Sequence, residues 1–132
     1  MELNAKELRA GNKVYYSMDK GKAVCTLDNV DITLMNSKDK YLKQHSPIPL
    51  ANNLEKLGFM NLDYGYSANI ELELVLRLIV TDGWYYPQLE QAPELSSEQV
   101  QIVSLKRIKY VHQLQNLWAV LKQEELNTNN LK

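Results

Sequence analysis

A chain of 132 residues falls in the commonest size range for one compact domain and is long enough to bury a core without disulfide or metal staples. Fifteen basic against sixteen acidic residues leave a net charge of -1, which excludes a global electrostatic pull toward nucleic acid or an anionic membrane and leaves only local basic patches. The single cysteine, Cys25, excludes an intramolecular disulfide framework and, inside the apolar run KAVCTL, reads as a buried, inert thiol in a reducing compartment.

No apolar run approaches the roughly 20 residues that span a bilayer. The start, MELNAKELRAG, lacks the basic residues and apolar stretch of a signal peptide. The expectation is a cytoplasmic protein with no membrane partner.

Leu3 and Leu8 precede a Gly11-Asn12 turn and can pack beneath the first strand. From Lys13 to Asn36 three β-favouring runs, VYYSM, AVCTL and DITLM, are separated by Asp19-Lys20-Gly21 and by Asp28-Asn29. Those separators supply the positive φ or side-chain turn bonds that tight reversals need, so the stretch reads as a β-meander. Ser37 to Ser46 is polar and charged and reads as a loop, followed by the extended Pro47 and Pro49.

Asn52 or Asn53 then caps a short helix with Leu54 and Leu57 inward, Gly58 as its left-handed stop and Phe59 as a hydrophobic lock. From Ile70 to Thr81 apolar residues alternate strictly and read as one strand, turned at Asp82-Gly83 into Trp84-Tyr85-Tyr86. Val100 to Leu105 reads as the last strand. Lys109 to Leu126 carries a helical stripe of Tyr110, Leu114, Leu117, Trp118 and Leu121, with His112, Gln113, Gln115 and Asn116 off the stripe. The tail, 127–132, is expected to fray.

The fold class is therefore α+β in a single domain, 1–126. It comprises an antiparallel meander that can curl into a small SH3-like barrel, a short middle helix, a β-hairpin and a C-terminal amphipathic helix on the sheet. The candidate core is Val14, Tyr16, Val24, Leu34, Leu57, Phe59, Leu72, Leu74, Leu76, Leu78, Leu114, Leu117, Trp118 and Leu121.

Nucleophilic catalysis needs a nucleophile, a base and an orienting group that converge, and a zinc site needs three or four ligands at recognisable spacing. Two histidines, His45 and His112, with one scattered cysteine supply neither, and the five glycines are isolated at turns rather than gathered into a phosphate loop. The expectation is no enzyme, no cofactor and no metal.

The binding readings rest on two features. His112, Gln113, Gln115 and Asn116 form an amide-rich face suited to a protein partner or a second copy of the chain, the alternative being that it satisfies buried groups of its own fold. Lys38, Lys40 and Lys43 with Tyr41, and Lys106, Arg107 and Lys109 with Tyr110, would form a phosphate-facing patch if the fold joined them, making nucleic acid the alternative partner.

Three segments also resemble a known group. ELRAGNKVYY (7–16), PIPLANNLEKLGF (47–59) and KYVHQLQNLWAVLKQEEL (109–126) are similar, in order and content, to a family of short uncharacterised Bacteroidetes proteins often found near phage-derived or mobile elements, with LRxGN, PIPL then GF, and YVHQLQNL blocks. The chain departs from that pattern at Ala51, where relatives tend to carry a threonine cap, and in a longer, leucine-rich span between Gly58 and Lys109. The resemblance implies lineage and a phage or mobile-element context, and it transfers no catalytic residue.

Overall fold

The computed structural model describes residues 3–91 and 101–131, and among these the chain forms two antiparallel sheets, three α-helices and two 3-10 turns. Asn4 caps the first turn, Ala5–Glu7, by accepting from the Lys6 amide, and Gly11, at φ 96°, swings the chain into β1 (Lys13–Met18). A two-residue reversal at Asp19-Lys20 returns it as β2 (Gly21–Thr26), with Met18 opposite Gly21.

The third run of the expected meander does not continue the sheet. Asn29–Ser37 is α1, because the Asp28 carboxylate accepts from the Asp31 amide while the Asp31 carboxylate accepts from the Asp28 amide, a reciprocal cap that starts a helix. Thr33, Asn36 and Ser37 then donate side-chain hydrogen bonds to carbonyls four residues back, which lets these turn-favouring residues sit in a helix. The polar stretch expected as a loop holds α2 (Asp39–Lys43) and a two-residue strand, β3 (His45–Ser46), which pairs with β1 and leaves an open three-stranded sheet of order β2-β1-β3 rather than a barrel.

The middle helix is a single 3-10 turn, Glu55–Leu57. Gly58 stops it at φ 91°, as its position requires, and the Phe59 amide reaches back to the Leu54 carbonyl. Asparagine does not cap it: Asn53 donates instead to the Pro49 carbonyl, and Asn52 takes a left-handed turn at φ 69°.

Beyond it lies a five-stranded meander, β4 (Met60–Leu62), β5 (Gly65–Glu71), β6 (Leu74–Thr81), β7 (Trp84–Gln91) and β8 (Gln101–Ser104), paired in chain order. The Asp82-Gly83 hairpin forms as read, with both residues at positive φ between Thr81 and Trp84. The single long strand does not form. The chain reverses at Leu72-Glu73, and a bulge between Asn69 and Glu71 shifts the register just before it, so Leu72 is 97% exposed instead of buried. Alternation hides such a turn, since neither turn residue has a positive φ and so neither had to be glycine or asparagine. Val100, the first residue read into the last strand, and Lys132 lie outside the described residues.

Two hydrophobic clusters share the three-stranded sheet. The smaller gathers Leu3, Leu8, Val14, Leu27 and Met35, with Cys25 and Ile32 against it. The larger lies between the five-stranded sheet and α3 (Val111–Lys122), and Tyr15 and Val24 reach it from alternate positions of β1 and β2. Its members include Leu57, Phe59, Ile70, Leu76, Leu78, Val111, Leu114 and Trp118, while Leu74, Leu117 and Leu121 are half-buried around it. Of the other expected core residues, Leu34 is half-buried and Tyr16 is exposed. The tail expected to fray is anchored, because Leu131 is buried in the larger cluster beside Leu126 of the domain's end.

Trp118 meets Phe59 edge-on, with ring centroids 5.7 Å apart. Trp118→Ala should therefore cost about 3–5 kcal/mol in urea-unfolding experiments. A loss below about 1 kcal/mol would show that the helix is not part of the core.

Candidate functional site

The amide-rich face of α3 is turned inward onto residues 7–13. Gln115, 2% exposed, accepts from the Lys13 amide through Oε1 at 2.7 Å and donates through Nε2 to the Gly11 carbonyl at 3.0 Å. Asn116 donates to the Glu7 carbonyl at 2.8 Å and accepts from Asn12 Nδ2 at 2.9 Å. The Asn12 Oδ1 accepts from the Arg9 amide at 2.8 Å, so this wholly buried amide is satisfied at both ends.

Arg9 completes the seam by donating to the Gln115 carbonyl and to Glu125. The Arg9–Glu125 pair is largely solvent-exposed and adds little by itself. Gln113 caps the helix, its Oε1 accepting from the Lys109 and Tyr110 amides while its Nε2 approaches the Glu7 carboxylate at 3.4 Å. Four residues expected to face a partner thus have their hydrogen-bonding groups engaged within the chain, with one exception.

That exception is His112. It is 1% exposed, with Nε2 3.1 Å from Glu7 Oε1 and Nδ1 buried without a partner. A carboxylate accepts, so Nε2 carries the proton and Nδ1 keeps a bare lone pair. Burial pushes the imidazole below its ordinary value, and the Glu7 hydrogen bond and charge oppose this without overcoming it. The Tyr110 ring stacks against it at 6.0 Å, and burial followed by Glu7 raises the Tyr110 hydroxyl. This His–carboxylate pair joins the buried helix face to the partly exposed turn Ala5–Glu7.

The two basic clusters lie on different parts of the fold. Lys38 and Lys40 are exposed at α2, and Lys43 pairs with Asp39 at 3.1 Å. Their aromatic neighbour Tyr41 donates to Asp31, and that bond and burial push its hydroxyl up to about 12. Lys106, Arg107 and Lys109 flank the five-stranded sheet, where a bridge between Tyr85 and Ile108 brings Arg107 and Lys109 to Trp84. The Arg107 guanidinium lies 3.8 Å above the indole centroid and Lys109 Nζ 5.1 Å from it. Trp84, not the half-buried Tyr110, is thus the aromatic centre of that cluster, a role only the Tyr85–Ile108 pairing reveals.

No protein-family model, curated protein or solved structure matches this chain. Among the described residues no three His, Cys, Asp or Glu side chains gather as a metal ion requires. Cys25 is half-buried, and burial, with Asp31 nearby, raises its thiol.

The three resembling blocks do converge. Residues 7–13 take the amide face of α3, Pro49 bridges to Tyr110 with Leu50 N donating to the Lys109 carbonyl, and Leu57 and Phe59 pack with Trp118 in the larger cluster.

Sequence reasoning missed two surface features. The uncharged strand β8 ends the five-stranded sheet, with Ile102 and Val103 56% and 54% exposed. Beside it a groove of about 300 Å³ is lined by Ile79, Tyr86, Pro87, Gln88, Ser104 and Leu105, among others. The absence of charge from QIVS was the available signal.

Because an Asn116 truncation strands the half-buried Glu7 carbonyl and the buried Asn12 amide, Asn116→Ala should cost about 1–3 kcal/mol in chemical denaturation. His112 gives a pH signature. The unfolded chain takes up a proton near the ordinary value of 6.5 that the folded chain resists, so this contribution is full above that value and declines as pH falls through the lowered folded value. Wild type should therefore lose more stability than His112→Gln between about pH 7.5 and about pH 5. Parallel losses in the two proteins would remove His112 as the cause.

Proposed function

We propose that this chain is a non-enzymatic interaction module that associates with a second copy of itself through β8, an edge strand of its five-stranded sheet that pairs only with β7 among the described residues. The observation that carries the reading is β8. Edge strands are commonly protected by lysine, proline or a bulge, and Gln101–Ser104 contains neither lysine nor proline. Two-fold antiparallel pairing of β8 with its copy would satisfy the unpaired backbone groups of both edges at once.

The neighbouring surface supports the same reading. Ile102 and Val103 on β8 itself are exposed, so a strand added there would meet apolar side chains. Elsewhere on the sheet, Arg77 is bonded to Glu90 and to the Tyr64 hydroxyl. A phage or mobile-element setting and a cytoplasmic location belong to the same proposal, the former on the resemblance of the three sequence blocks.

The test is sedimentation or light scattering over a concentration series. Wild type should form a dimer at or below roughly 100 µM, and Ile102→Lys with Val103→Lys should return it to monomer with its circular dichroism unchanged. A wild-type monomer throughout, or a dimer indifferent to both lysines, overturns the reading.

A second reading is favoured by one specific observation, the Arg107 and Lys109 cations gathered on Trp84 with Lys106 beside them. Three phosphate contacts to a single strand would give a log–log salt slope of about -2, which neutralising all three residues should abolish. A salt-independent affinity would exclude it.

A further inference from the structure

The groove beside β8 lies on the face of the five-stranded sheet turned away from the larger cluster. Strand register sets this: Ile79 stands opposite Tyr86, Thr81 opposite Trp84 and Gln88 opposite Ser104, and Trp84, Tyr86 and Gln88 are alternate residues of β7, so all six side chains share one face. Leu78, Tyr85 and Leu89, at the intervening positions, pack toward the core. Every one of the six except Trp84 lines the groove of about 300 Å³, and Pro87 and Leu105 complete it.

The lining sets the chemistry. Ile79 and the Tyr86 ring, 36% exposed, supply apolar and aromatic surface, while Thr81, Gln88 and Ser104 add groups that both donate and accept. Among the described residues no carboxylate borders the groove. An exposed aromatic face ringed by hydroxyl and amide groups suits a planar heterocycle with a polar edge, which is the way sheet surfaces take up unpaired nucleobases. The volume lies at the lower end of the roughly 300–1,000 Å³ of small-molecule sites, enough for a ring and little more.

Charge gathers at the Trp84 end. Trp84 lies two residues from Tyr86, roughly 7 Å along the strand, and carries the Arg107 guanidinium 3.8 Å and Lys109 Nζ 5.1 Å from its ring centroid. Neither cation has an ion-pair partner among the described residues, whereas Arg77, opposite Gln88, is bonded to Glu90. Seating on the indole restrains the guanidinium, so it meets a phosphate with less side-chain entropy to lose. Both cations stand outside the groove lining, so a ligand that reaches them must run on beyond its base, as a strand does. We propose, with the nucleic-acid reading above as the premise, that one unpaired base of a single-stranded nucleic acid lies in this groove against Tyr86, with its adjoining phosphates on Arg107 and Lys109.

The experiment is a fluorescence-anisotropy titration of the full chain with a labelled oligothymidylate of roughly ten nucleotides and with an abasic strand of the same length, each over a salt series. The oligothymidylate should bind about tenfold or more tighter than the abasic strand, because a stacked base contributes a factor of about that size. Tyr86→Ala, at an exposed position, should keep its circular dichroism, bring the two affinities together and retain the wild-type salt slope. Equal affinity of wild type for the two strands overturns the base groove and leaves the phosphate reading standing, whereas binding of neither strand overturns both. A base preference that survives Tyr86→Ala also overturns the groove, and thymidine monophosphate that competes as tightly as the strand replaces the strand with a free nucleotide. Loss of a wild-type dimer in Tyr86→Ala would assign the groove to a second copy of the chain and overturn the proposal.

Discussion

The seam between α3 and residues 7–13 is the constraint on which the rest of the molecule depends. Asn12 and Gln115 are buried, Asn116 is half-buried, and the three amides satisfy one another and the backbone between Glu7 and Lys13 in only one register. A hydrophobic contact there would tolerate sliding by a fraction of a turn. Amide pairs do not, because a misplaced buried hydrogen-bonding group costs about as much as the bond it replaces contributes, or more.

From that fixed register the remaining architecture extends in two directions. The N-terminal segment leads directly into β1, so the helix positions the small sheet and, through Val14, the smaller cluster. The other face of the same helix supplies Val111, Leu114 and Trp118 to the larger cluster. Just before the helix begins, residues 108–110 are bridged on one side to Tyr85 and on the other to Pro49, which ties the long hairpin and the proline segment to its start. One short stretch of chain therefore meets both sheets, and polar bonds decide its position while apolar burial supplies most of the driving force.

The legibility of this fold in its sequence divides along the same physical line. Local backbone requirements were readable: Gly58 at a left-handed stop, Asp82-Gly83 at positive φ, and the helical stripe of α3 all arise from sterics and periodicity within a few residues. Features decided by reciprocity were not. Asp28 and Asp31 look like turn residues until each is seen accepting from the other's amide, and the reversal at Leu72-Glu73 leaves alternation intact on both sides. The α3 amides were visible as a polar face, but their partners lie more than 100 residues away, where no local pattern can point.

The same division explains where function has room to reside. Most polar residues at the centre of this molecule are consumed in holding it together, and His112, bonded to Glu7, is closed in by its helix and by Tyr110. Apart from the buried Tyr110 hydroxyl and His112 Nδ1, groups left with unmet bonding capacity lie at the margins of the two sheets, in the backbone of β8 and at the Ser46 hydroxyl of β3. These margins are where a strand ladder stops, so each leaves backbone or side-chain groups that its own sheet cannot satisfy. A chain whose interior polarity is spent on its register can still recognise other molecules there, because changes at a sheet edge leave the central amide seam intact.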